Sequence, residues 1–72
     1  MSFQAYLDAV TARTGKTPEQ LAASASARGL LVDGQIAVGV KATQITDWLK
    51  ADYDLGHGHA MAVYAWFKGK RS

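Results

Sequence analysis

Seventy-two residues carrying a formal charge of +2, 49% hydrophobic residues and no cysteine describe one small globular domain, residues 1–72, and exclude a disordered chain, a disulfide framework and a thiolate metal site. A chain this short buries only about 60% of the surface its unfolded form exposes, so its core must be well filled or supplemented by a homodimer. Met1-Ser2-Phe3-Gln4 has no basic n-region and no continuous apolar stretch, and no apolar run approaches the roughly 20 residues of a membrane span. With thiols absent, the expectation is a cytoplasmic protein without membrane association.

From Ser2 to Thr14 the spacing predicts an amphipathic helix. Phe3, Tyr6, Leu7, Val10 and the stem of Arg13 recur at three- and four-residue steps. Ser2 is a natural N-cap, and Gly15 a natural stop where the chain leaves the helix left-handed. "TGKTPEQ" then carries the clearest local signal. Thr17 and Gln20 form a capping box, and Pro18 fits the first helical position, where its missing N–H costs nothing. A second helix follows from Pro18 to about Arg28, with Gly29 as its stop. Gly15-Lys16-Thr17 superficially matches the end of a phosphate-binding P-loop, but the earlier glycine and the preceding strand are both missing.

"LLVDGQIAVGV", Leu30 to Val40, reads as an irregular loop plugging Leu30, Leu31, Ile36 and Val38 into the core. Asp33-Gly34 also suits a miniature β-hairpin turn, so any strand pairing is expected to be short. A third helix is predicted from about Lys41 or Ala42 to Tyr53, with Ile45, Trp48 and Leu49 on its inner stripe and an Asp47–Lys50 surface pair. After a turn at Asp54–Gly58, a fourth helix is predicted from about His59 to Lys68, apolar on more than one face. Gly69 ends it, and a basic tail at 68–72 holds Lys68, Lys70 and Arg71, whose ordinary role is to solubilise a terminus. The expected fold is all-α: a compact bundle of about four short helices with an irregular or hairpin-like loop at 30–40.

"SFQAYLDAVTARTGKTPEQLA" and "VGVKATQITDWLKADYDLGHGHAMAVYAW" resemble an uncharacterised family of small bacterial domains of unknown function, marked by TGKTP, GVKA-I-WLK and LGHGHA motifs. The resemblance runs from Phe3 to about Phe67. It implies a stand-alone or fused helical domain in a bacterial cytoplasm and transfers no activity to any residue. Asp54 stands where the resemblance leads one to expect glycine.

Leu55-Gly56-His57-Gly58-His59-Ala60 joins two helices through glycines one residue apart, as in helix–hairpin–helix connections that grip nucleic-acid backbone. Outward-pointing backbone N–H groups and the start of the next helix can dock a phosphate oxygen there. His57, when protonated, and Lys68, Lys70 and Arg71 would add charge. The plainer reading is that Gly56 and Gly58 permit positive φ in a tight turn, His59 caps backbone N–H groups or bonds to the third helix, and His57 faces water. A metal site needs three or four ligands at about 2 Å, and two histidines in this spacing with only aspartates near them match no common arrangement, so no metal or cofactor is expected.

Catalysis is not expected either. Ser24, Ser26, Thr43 and Thr46 lie in helical context without a base, and Glu19 sits in a first helical turn where it complements the dipole. Trp48 reads as core. Trp66 and Phe67 project about 100° apart on a helix, so one of them, with Tyr64, is expected to leave an apolar patch. Two functions remain. The preferred one is a non-catalytic interaction module that self-associates or docks on a protein through Tyr64, Trp66 and Phe67. The alternative is a nucleic-acid or phosphate-binding accessory domain using Gly56, His57, Gly58, Lys68, Lys70 and Arg71.

Overall fold

The computed structural model describes residues 2–71. Positions 1 and 72, the ends of the expected domain and of its basic tail, lie outside the described residues. The elements are α1 (Phe3–Thr14), α2 (Pro18–Ala27), β1 (Leu31–Val32), β2 (Gln35–Ile36), α3 (Ala42–Tyr53) and α4 (His57–Phe67). This is a small all-α bundle with one miniature antiparallel hairpin. No helix among the described residues is long and apolar enough to cross a membrane.

Local chemistry accounts for most helix ends. The Ser2 hydroxyl accepts from the Ala5 N–H, and Gly15 ends α1 in the left-handed region at φ 72°. At α2 the capping box is complete: the Gln20 N–H donates to the Thr17 hydroxyl at 3.2 Å, and the Thr17 N–H to the Gln20 carboxamide at 2.8 Å. Two orphan donors are thereby satisfied. Thr17→Ala is expected to cost about 1 kcal/mol, read as a lower urea midpoint at unchanged slope. An unchanged midpoint would mean that packing alone holds α2. At α3 only half of such a box exists, the Lys41 N–H donating to the Gln44 carboxamide at 2.7 Å.

In α1 and α3 the core follows the predicted stripes, with Val10, Ile45, Trp48 and Leu49 buried; Leu21 and Ala25 of α2 and Ala60 and Val63 of α4 join them. The α4 helix packs against α1, α2 and α3. That central position explains an apolar content that no single face could use, since a helix apolar all round is a buried one.

Residues 30–40 are more ordered than a plugging loop. Asp33 and Gly34 have φ of 54° and 77°, the two positive values of a type I′ turn, whose twist matches that of paired strands. Leu31 therefore opposes Ile36, and Val32 opposes Gln35. Leu31 is buried against the core and Ile36 half-buried, but Val38 is fully exposed and plugs nothing. It follows the short ladder and precedes Gly39, which is left-handed at φ 86°, so the chain there runs along the surface. The expected Asp47–Lys50 pair does not form. Among the described residues the one ion pair is Arg28–Asp52 at 3.4 Å, exposed and worth little.

Candidate functional site

The connection from α3 to α4 differs from its sequence reading. α4 begins at His57 rather than His59, with Gly56 as its N-cap at φ −72°, ψ 168°. Gly58 is helical, and neither glycine has positive φ. The left-handed residue is Asp54, at φ 55°, ψ 36°, which ends α3 and donates its N–H to the Lys50 carbonyl. One left-handed residue suffices to reverse the chain, so the next helix starts two residues earlier than expected. Asp54 is also the position where the family resemblance leads one to expect glycine. A Cβ on Gly58 would meet the Tyr6 ring at 3.7 Å, an ordinary contact, and one on Gly56 would meet nothing.

The histidines divide as well. His57 is exposed. His59 is half-buried with its ring edge-on to Tyr6 of α1, centroids 5.3 Å apart, so it packs on the first helix instead of capping α4 or bonding to α3. Arg13 of α1 donates to the Asp54 carbonyl at 3.2 Å, tying the turn to the same helix. Among the described residues no three histidine or acidic side chains converge as a metal set. The Ser24 hydroxyl accepts from the Tyr53 hydroxyl at 3.2 Å, which pairs it with no base.

Of the expected surface residues, Phe67 points inward and is only 5% exposed, whereas Tyr64 and Trp66 are half-buried. The 100° between consecutive helical positions separates them: α4 lies over the core, so only one of the pair can face it. The basic residues do not form a loose tail. Gly69, at φ 109°, ends α4, its N–H donating to the Trp66 carbonyl and the Lys70 N–H to Ala65, a Schellman-type closure. Each cation then lies over a ring. Lys68 Nζ is 5.7 Å from the Tyr64 centroid, Lys70 Nζ 5.3 Å from that of Phe3, and the Arg71 guanidinium 4.1 Å from that of Trp66. Such contacts are worth about 0.5–1 kcal/mol at exposed sites, enough to bias each side chain. Arg71 Nη1 also donates to the Trp66 and Lys70 carbonyls at 2.8 and 2.9 Å.

This ordered end of α4 forms one wall of a groove. A cavity of about 420 Å³ lies between Phe67, Lys68, Gly69 and Arg71 on one side and Gly34, Gln35 and Ile36 of the hairpin on the other. A second, of about 230 Å³, continues it toward Glu19, Ala22, Leu31 and Trp66. Gly34, Phe67 and Arg71 border both, so the two are parts of one groove. Trp66, Phe67, Lys68 and Arg71, all singled out by the sequence, meet here, and Lys70 lies beside them over Phe3. Gly56, His57 and Gly58 do not join them. They sit at the opposite end of α4, about 16 Å away along an 11-residue helix.

The opposing wall, from α2 and the hairpin, was not legible as a site. Its one sequence signal is Asp33-Gly34, because a two-residue turn sets the register that places Ile36 opposite Leu31. No curated protein and no solved structure matches this chain. Residues 2–69 match the family described as Domain of unknown function (DUF4287), and the chain, matched over nearly its whole length, belongs to that family.

Proposed function

We propose that this domain is a small non-catalytic protein-docking module whose working surface is the groove between the hairpin, α2 and the C-terminal end of α4. The observation that carries this reading is the continuity of the two cavities, floored by Phe67 and Leu31 and edged by Trp66, Ile36 and Arg71. Partly apolar concavities rimmed by a few oriented polar groups are where recognition concentrates, and Trp and Arg are the side chains that dominate binding at such places. Its walls come from three separate segments of the fold, so an occupant would sense the folded domain and not a linear motif.

The test is occlusion. Ala22 lies on the α2 wall of the smaller cavity, half-buried, and Ala22→Met fills that space without changing charge or disfavouring the helix. Peptides selected from a random dodecapeptide display library on the full chain are expected to perturb the backbone amide resonances of Gly34–Ile36 and Phe67–Gly69. They are expected to lose about tenfold in affinity, equivalent to about 1.4 kcal/mol, on the Ala22→Met chain at unchanged thermal stability. Selected peptides that map elsewhere, or that ignore Ala22→Met, would remove the groove as the docking surface.

A further inference from the structure

The occupant's chemistry can be read from the charge and the backbone edge that the groove presents. Arg71 is held from behind: Nη1 is committed to two carbonyls and the guanidinium plane rests on Trp66. Its other N–H donors, on Nε and Nη2, have no hydrogen-bond partner among the described residues, so one edge of a planar fork that borders both cavities is left for a carboxylate. Lys68 lines the same cavity. Neither cation is ion-paired among the described residues. Among the described residues the one acidic group lining either cavity is Glu19, on the α2 side of the smaller one, which Arg71 also borders. The groove thus presents two cations from the α4 side against one acid from the α2 side.

The hairpin contributes a backbone edge. Val32 and Gln35 flank the two-residue turn, and the Ala37 N–H donates to the Leu30 carbonyl at 3.0 Å. In an antiparallel ladder bonded and non-bonded pairs alternate, so the Leu31–Ile36 pair between them is the non-bonded one, its N–H and C=O groups directed away from the partner strand. Ile36 borders the larger cavity and offers its N–H and C=O on the open edge of β2. An extended peptide can pair with such an edge.

We infer that the groove takes an extended acidic segment of a partner protein, its carboxylate on Arg71 and Lys68, its backbone against Ile36, and an aliphatic side chain in the cavity beside Leu31, Ala22 and Trp66. This deepens the docking reading and rests on it. Glu19 limits the segment, since a second acid placed beside α2 would meet a like charge.

The same peptide selection, repeated on the Arg71→Gln chain, tests the inference. On the parent chain the enriched sequences are expected to place Asp or Glu close to Leu, Ile or Val. Arg71→Gln is expected to weaken a purified enriched peptide by about tenfold or more, and Arg71→Lys by less, because charge survives while the fork is lost. Lys68→Gln is a second reading of the same charge, on a residue that makes no backbone hydrogen bond through its side chain. Enriched peptides that perturb the groove amides but carry no acidic bias would overturn the acidic partner while leaving docking intact. No enrichment over the Ala22→Met chain would overturn both. Concentration-dependent shifts of the groove amides without peptide would make a second copy the occupant, and displacement of the peptide by a short DNA duplex with steep salt dependence would make it nucleic acid. Either result overturns the inference.

Discussion

Phe67→Ala is expected to destabilise the domain by about 3–5 kcal/mol, the cost of emptying a buried aromatic site, whereas Trp66→Ala is expected to cost about 1–2 kcal/mol. The two residues are adjacent on α4, and sequence alone gives no reason to rank them. The structure does: Phe67 is 5% exposed and belongs to the central cluster, while Trp66 is half-buried at its margin. A chain of 72 residues has a total stability of about 4–11 kcal/mol at the usual value per residue, so losing Phe67 removes much or all of it. Far-UV circular dichroism through a thermal ramp reads both variants. Equal losses, or a larger loss for Trp66→Ala, would mean that α4 is rotated from the orientation described. The same pair separates folding from the proposed docking, because Phe67 lines the groove and supports the core, while Trp66 edges the groove and carries Arg71.

The α3–α4 connection yields the second prediction, and its sign opposes what a Gly-His-Gly turn suggests. Asp54→Gly is expected to stabilise by about 1 kcal/mol, because a residue with a Cβ held in the left-handed region is strained by about that much. Removing an acidic side chain from the negative end of α3 acts in the same direction. Gly58→Ala is expected to add about 0.5 kcal/mol, since Gly58 is helical with only an ordinary contact awaiting its Cβ and alanine restricts the unfolded chain more. Together they should raise the melting temperature by about 5–10 °C in a domain of this size. Gly56→Ala should do the reverse, losing about 0.5–1 kcal/mol, because alanine is a poor N-cap where glycine is tolerated. Differential scanning calorimetry of the three variants decides the matter. A fall in melting temperature for Asp54→Gly, or unfolding of Gly58→Ala, would show that the connection is not the one described.

Much of this fold is legible from residues acting on their immediate neighbours. Ser2, Gly15, the Thr17–Gln20 box, Pro18 and Gly29 bound two helices because caps and left-handed residues act across three or four positions, where sequence and space nearly coincide. The 3.6-residue stripes of α1 and α3 are legible for the same reason, and Leu7, Val10, Ile45, Trp48 and Leu49 are buried as their spacing requires. The hairpin was legible only in part. Asp33-Gly34 announced a turn, but whether Leu31 and Ile36 would pair depended on α2 receiving Leu31.

The candidate site divides along the same line. By itself the sequence determined an all-α domain, most of its helix ends, the inner stripes of α1 and α3 and the aromatic–basic composition of residues 64–71. Tertiary structure alone decided that Phe67 faces the core, that His59 leans on Tyr6, that Lys68, Lys70 and Arg71 rest on three different rings, and that the hairpin closes a groove against α4. Capping and periodicity are satisfied within one or two helical turns, so they are written locally. Which face is covered, and which side chains border one cavity, depends on segments such as Glu19, Ile36 and Arg71 that meet only when the whole chain has packed.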